Sequence, residues 1–353
     1  MAGQSKVMSP ESKPNASIRF RGIGSYIPSR RITNQHWESL VSTSDEWIQK
    51  NIGIRERSRI GPEETTTDMG VHSAKLAIET AGVDPASIDF ILCATNSQDD
   101  LWPSTAAKIQ ERLGIKTTSL DLQAGCSGWL FGVRLGTSLL GSGQAKRVLV
   151  VGSDALTRFL NYYDRDNMLF GDGSGSCILD LDPSYTARRL PVPIFDTGTL
   201  PSRAMALETI YTEKENAMEK YLAREDMSLA NRPIPSMEGR TAMKYALTKT
   251  KESIASVLSQ ARAMGIEKED IALYAPHQTN ALVVQSLCEF AGFPIEKIPY
   301  TLDKYGGIST AGIPTGLYEH YRAGKLKKGD LVLSSAYGAG FTYGAMIFEW
   351  GVD

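Results

Sequence analysis

The chain carries one succession of elements twice, and that repetition limits the folds open to it more than any single stretch does. Ile88-Asp89-Phe90-Ile91-Leu92, then a polar loop and a helical pattern, is echoed by Ile271-Ala272-Leu273-Tyr274, then Pro276-His277-Gln278-Thr279-Asn280 and a helical pattern. Gly128 to Asp154 and Ala311 to Tyr337 each read as a helix, a turn bearing glycine and lysine, and a buried strand. Gly173-Ser174-Gly175 before an apolar strand is echoed by Gly338-Ala339-Gly340 before the run Phe341 to Trp350. Two similar halves of alternating strands and helices imply a pseudo-twofold molecule of layered sheets and helices.

At the junction of such halves falls Leu122-Gln123-Ala124-Gly125-Cys126-Ser127-Gly128-Trp129-Leu130. The apolar run before it fits a buried strand, and Leu130, Val133, Leu135, Leu139 and Leu140 fit a helix. Cys126 therefore stands at a strand-to-helix turn. A thiol there feels the partial positive charge of unpaired backbone N–H groups, which favours thiolate and makes a nucleophile. Gly125 and Gly128 leave room for close approach to the backbone. The plainer alternative is a small buried cysteine.

At 353 residues and 42% hydrophobic, the chain can bury one large core or two ordinary domains. A formal charge of -2 gives no support for a nucleic-acid partner. No apolar run approaches a membrane span, and Met1 to Ala16 are polar, which reads as a disordered leader without a signal-peptide core. The cysteines Cys93, Cys126, Cys177 and Cys288 and the histidines lack metal-ligand spacing, so the expectation is a reducing, cytoplasmic protein with no disulfide framework and no metal. The expected organisation is a leader over 1–16, a first half with the nucleophile over 17–182, an insertion or pocket wall over 183–239, and a second half over 240–353.

Along the chain, Ser17 to Gly24 alternates like an opening strand, and Thr43-Ser44-Asp45-Glu46-Trp47-Ile48 reads as a helix start. Gly53-Ile54-Arg55-Glu56-Arg57 reads as a tight charged connection, and Leu101 and Trp102 form an apolar tip in a polar loop. Phe170-Gly171-Asp172-Gly173-Ser174-Gly175-Ser176 reads as a glycine-rich loop. It lacks the Gly-Lys-Ser/Thr ending and following helix of a nucleotide cradle. His277, at the end of a buried strand, can relay protons or donate to a developing oxyanion. The turn Tyr337-Gly338-Ala339-Gly340-Phe341 can bring a backbone N–H beside that of Cys126, or it is simply a tight hairpin.

Together these residues resemble the β-ketoacyl-acyl carrier protein synthase III family of the thiolase superfamily. The blocks Thr43 to Ile48, Gly53 to Arg57, Cys126-Ser127-Gly128, Phe170-Gly171-Asp172-Gly173, Pro276-His277-Gln278 and Gly340-Phe341-Thr342 match its motifs in family order, over nearly everything after residue 17. The resemblance implies a five-layer αβαβα fold and a homodimer in which Trp102 reaches into the partner's acyl pocket. It implies that Trp47 and Arg165 line the coenzyme A entrance, with Asn51 at the mouth where the family has arginine, Lys244 as a nearby basic residue, and Phe170 and Tyr337 among the substrate-binding side chains. The thiolate of Cys126 would attack an acyl thioester, with the N–H groups of Cys126 and Ala339 holding the oxyanion. A malonyl thioester would then lose carbon dioxide, and its enolate, held by His277 and a family asparagine, would attack the acyl group. No cofactor is implied, since acyl-CoA and acyl carrier protein thioesters are substrates.

The asparagine is missing. Where the family reads Asp-Arg-Tyr/His-Gly-Asn-Thr-Ser, this chain reads Asp303-Lys304-Tyr305-Gly306-Gly307-Ile308-Ser309. Losing one positioned oxyanion donor typically costs about 10²–10³ in rate, so condensation should suffer more than acylation unless Ser309, Thr310 or a water fills the gap. Leu282 and Glu289-Phe290 replace basic positions that dock an acidic carrier protein. The expectation is a condensing enzyme forming a 3-ketoacyl product in a specialised acyl or secondary-metabolite pathway, within lipid and fatty-acid metabolism. The alternative is an acyltransferase passing the acyl group from Cys126 to an oxygen, nitrogen or sulfur nucleophile.

Overall fold

The computed structural model describes residues 17–208 and 234–353. The expected leader over 1–16 and the middle of the expected pocket wall lie outside them. The first half supplies β1 (Ser17–Tyr26), β2 (Arg30–Thr33), β3 (Glu56–Arg59), β4 (Phe90–Ala94), β5 (Thr118–Leu122), β6 (Arg147–Ala155) and β7 (Asp172–Asp182). The second supplies β8 (Ile194–Ser202), β9 (Met205–Glu208), β10 (Ile234–Met237), β11 (Ile271–Pro276), β12 (Leu331–Gly338) and β13 (Gly340–Glu349).

The duplication is explicit in the sheets. One runs β1-β7-β6-β4-β5 and the other β8-β13-β12-β11. In both, the first three strands pair antiparallel each with the next, and the pairing after them is parallel, β6 with β4 and β12 with β11. The helices Gly128–Gly141 and Gly312–Arg322 lie between the sheets. Leu130, Val133 and Leu140 of one and Ile313 and Leu317 of the other share a single core with Val148, Val150 and Leu179 of the first sheet and Leu273, Val332 and Phe348 of the second. The helix Thr66–Ala81 covers the outer face of the first sheet, with Ala74, Ala77 and Ile78 against Ile91, Leu149 and Ile178. The helices Gly239–Ala263 and Ala281–Ala291 cover the outer face of the second. The order is α, β, α, β, α. No helix among the described residues is long and apolar enough to cross a membrane.

Local signals account for many element ends. Thr65 and Asp68 form a reciprocal capping box, Ser44 caps Asp45–Asn51, and Asn280 caps Ala281–Ala291.

Four expectations are corrected. The segment 183–239 is not wholly an insertion, because β8 pairs with β13 and opens the second half as β1 opens the first. Its alternation is faint because β8 is a half-exposed edge strand. The strand before Cys126, β5, is likewise a half-exposed edge rather than a buried strand, and Leu135 of the following helix faces outward. The glycine-rich stretch from Asp172 is strand β7, not a loop. Its glycines admit the crossing central helix, since a Cβ on Gly175 would fall 2.6 Å from Pro314. Arg57 lies in β3 and is fully buried, its Nε donating to Met168 O at 2.6 Å, so it anchors the segment carrying Arg165 and Phe170.

Candidate active site

The two central helices begin in the same way and point their N-termini at one place. Gly128 is preceded by Gly125 at φ +52 and then Cys126, and Gly312 is preceded by Ser309 at φ +48 and then Thr310. Cys126 and Thr310 are thus repeat-equivalent. Cys126 lines an apolar cavity with Gly125, Asn96, Ser309, Ala339, Leu156, Phe159, Leu160, Phe170, Met205 and Met237. A second cavity continues from Phe170 and Met205 past Tyr337, Thr279 and Val283 to a mouth at Trp47, Asn51 and Arg165.

The backbone around the thiol leaves no space for side chains. A Cβ on Gly338 would fall 2.3 Å from Cys126 N, and one on Gly125 would fall 2.4 Å from Ala339 N. The turn joining β12 to β13 is therefore pressed against the cysteine turn, and Ala339 lines the cavity beside Cys126. Ser127 Oγ fastens the two turns together by bonding Ala124 O at 2.8 Å and Thr342 Oγ1 at 2.7 Å. Thr342 Oγ1 in turn donates to Ala124 O at 2.6 Å. Adjacent N–H groups on such turns can receive a developing oxyanion.

Burial pushes the Cys126 thiol up to about 11, opposed by a hydrogen bond from Ser309 and reinforced by the nearby Asp154 carboxylate. Cys126 precedes the helix Gly128–Gly141 by two residues, and burial works against the expected helix-terminal activation.

His277 is almost fully buried at the end of β11, its N–H bonded to Ser335 O at 2.7 Å. Its ring meets Tyr337 edge-on with centroids 5.3 Å apart, and a Cβ on Gly312 would fall 3.5 Å from its Nδ1. Neither ring nitrogen has a hydrogen-bond partner among the described residues. Burial lowers its pKa to about 4, so the imidazole is neutral at physiological pH, with one donor and one acceptor available for chemistry. Its stability contribution is whole above pH 6.5 and is lost as pH falls from 6.5 towards 4, because the unfolded chain takes up the proton first. We expect wild type to lose about 3 kcal/mol more than His277→Gln between pH 7 and pH 4 in chemical denaturation. Parallel pH dependences would contradict this.

Tyr337 is buried, lines the second cavity and shares a 2.6 Å hydrogen bond with Thr279 Oγ1. The Arg165 guanidinium lies 3.7 Å over the Trp47 ring at the mouth. Asn51 lines that mouth and donates back to Trp47 O. Lys244 is exposed and outside the cavity lining, although its neighbours Ala242 and Met243 belong to it. Trp102 is 87% exposed on its loop, away from both cavities of this chain.

Gly307 is stitched to the cavity wall: Gly307 N donates to Leu169 O at 2.8 Å and Gly171 N to Gly307 O at 3.2 Å. A Cβ on it would lie 3.2 Å from Leu169 O and 3.5 Å from Gln278 O. Backbone carbonyls surround the place where the family carries its amide. The sequence reading did not single out Asn96 or use Asp154, although both stand at the C-terminal ends of parallel strands, β4 and β6, where α/β sites gather. Among the described residues, no group of three His, Cys, Asp or Glu side chains is placed to hold a metal ion.

Residues 120–194 match the family described as 3-oxoacyl-[acyl-carrier-protein] synthase III, and 261–350 match its C-terminal family. The β-ketoacyl-[acyl-carrier-protein] synthase III of Allorhizobium ampelinum is 35% identical over 333 residues, covering 94% of this chain and 98% of that protein. The chain belongs to the β-ketoacyl-[acyl-carrier-protein] synthase III family. The crystal structure of the synthase III from Aquifex aeolicus superposes with a TM-score of 0.82 at 32% identity, over 95% of this chain and 100% of that one. A priming β-ketosynthase from a polyketide biosynthetic pathway gives 0.84 at 26% identity, over 99% of both chains. As a synthase III, the protein is a transferase of the condensing type on a thiolase fold.

Proposed function

We propose that this synthase III homologue loads an acyl group from a thioester onto Cys126 and condenses it with a malonyl thioester. The observation that carries the reading is Cys126 lining an apolar cavity where the Gly125 and Gly338 turns press together. In the first step the Cys126 sulfur bonds the acyl carbon, and the thiol proton leaves with the released thiol. The N–H groups of Cys126 and Ala339 receive the oxyanion. In the second, the malonyl carboxylate leaves as carbon dioxide, and the electron pair forms the new carbon–carbon bond. Cys126 departs as thiolate and regains a proton from solvent. Neutral His277 donates to the enolate oxygen. Trp47 and Arg165 hold a coenzyme A or carrier-protein thioester at the mouth, and no cofactor takes part.

A homodimer is part of the proposal. The β5 edge is half-exposed, and the loop bearing Leu101 and Trp102 is tied to it where Asp121 accepts from Thr105 N and Ala106 N at 2.8 and 2.7 Å. Gly307, Asn51, Leu282 and Glu289 support a specialised pathway, as does the likeness to a synthase named for polyketide priming. One observation favours the second reading, transfer to a heteroatom nucleophile. Gly307 offers an enolate oxygen no side-chain donor, and transfer to an oxygen, nitrogen or sulfur nucleophile needs none.

Gly307→Asn separates the two. The added Cβ needs Leu169 O to give by a few tenths of an ångström. With condensation as the native reaction, release of carbon dioxide and ketoacyl product from malonyl-CoA should rise about tenfold or more. Absence of condensation in both wild type and variant, with the acyl group passing to an added amine or alcohol, would overturn the leading reading.

A further inference from the structure

Ser309 is the one non-glycine residue with positive φ among the described residues, at +48, a conformation that favours glycine or asparagine. A serine kept there is held by its contacts, and the contacts lead to the nucleophile. Asp154, fully buried at the end of β6, accepts from Asn96 N at 2.7 Å and Ser97 Oγ at 3.1 Å. It also accepts from Asn96 Nδ2 at 3.1 Å and Thr310 Oγ1 at 2.8 Å. Asn96 Nδ2 reaches Gly125 O at 3.2 Å and Ser309 Oγ at 3.4 Å. Ser309 Oγ, 3.4 Å from that amide nitrogen, can turn its own proton towards the Cys126 sulfur across the cavity they share. Asn96, Ser309 and Cys126 line the same cavity.

We propose that Ser309 is a positioning residue for the nucleophile, its hydroxyl aimed by Asn96 and Asp154 to hold the Cys126 sulfur as thiolate during attack. The inference rests on reading Cys126 as the acylated thiol. The groups facing that sulfur make a donor necessary. Asp154 from β6 brings negative charge, while Tyr337 from β12 is neutral. The first turn of the helix Gly128–Gly141 carries no acidic side chain and, as Gly128-Trp129-Leu130-Phe131, no cation either. At a site with glycine at position 307, Ser309 supplies the side-chain donor on this side of the cavity.

The test compares Ser309→Gly and Ser309→Ala with wild type, reading single-turnover acylation by acyl-CoA, its half-saturation concentration and the thermal midpoint. Both variants should acylate about ten- to hundred-fold more slowly at saturation, as expected on losing a hydrogen bond to a charged group, with half-saturation unchanged. Ser309→Gly should hold or raise the thermal midpoint, because glycine adopts the left-handed conformation freely, while Ser309→Ala lowers it. Slower reaction in a protein no less stable is what a packing role cannot produce. Unchanged acylation in Ser309→Gly, or a loss of rate matched by lower stability and weaker saturation, would overturn the proposal. Loading that survives Cys126→Ala would instead sink the reading of the nucleophile, so the two failures are distinguishable.

Discussion

Cys126→Ala should take acyl loading below detection while leaving the fold intact. The chain holds three other thiols, but Cys93 and Cys177 are fully buried in β4 and β7, and burial pushes both far above the ordinary thiol range. Cys288 lies in a helix on the outer face of the second sheet and is raised to about 12. None of the three lines either cavity. The substitution removes one sulfur from a site that already opens to a cavity, so its effect on the thermal midpoint should be small. Intact-protein mass spectrometry after incubation with acyl-CoA gives the occupancy. An adduct of wild-type occupancy in the variant would contradict the assignment.

Gly338→Ala should be nearly as damaging without touching a reactive group. Its Cβ would stand 2.3 Å from Cys126 N, 2.9 Å from the Gly125 carbonyl carbon and 3.0 Å from Ser127 N, all backbone atoms that cannot rotate away. The turn bearing Ala339 must then lift from the cysteine turn, and the adjacent N–H groups no longer converge on one oxygen. Loss of such a donor costs about 10²–10³ in rate, and overpacking of this kind costs about 1–3 kcal/mol of stability. Acylation rate and thermal midpoint should both fall, with the rate falling far more steeply. A wild-type acylation rate in the variant would show that these N–H groups do not form the oxyanion site.

Much of this was legible in the sequence because the duplication repeats patterns that follow from packing. Runs covered on both faces, such as Val148 to Val151 and Leu331 to Leu333, read as buried strands. Cys126 and His277 stood out in the sequence through glycine spacing and position after a strand. What escaped was set by partners distant in sequence. The glycines of β7 resemble a loop until the helix beginning at Gly312 is laid across them. The edge strands β5 and β8 are paired on one side only and half-exposed, so they lack the continuous apolar runs of the interior strands. A helix end favours the Cys126 thiolate, but the surrounding core buries the thiol and pushes it up, which glycine spacing alone does not show. Asn96 and Asp154 stand at strand ends, but their meeting with Ser309 and Thr310 joins residues from opposite halves of the chain and has no local pattern.

The most direct measurement is a chase of the loaded enzyme. Wild-type protein is incubated with a panel of acyl-CoA thioesters, the adduct is located on Cys126 by mass spectrometry, and malonyl-CoA is then added. Condensation predicts that the adduct disappears as carbon dioxide and one equivalent of a 3-ketoacyl thioester are released. An adduct on Cys126 that persists through the malonyl-CoA chase, or no adduct with any thioester, would contradict it.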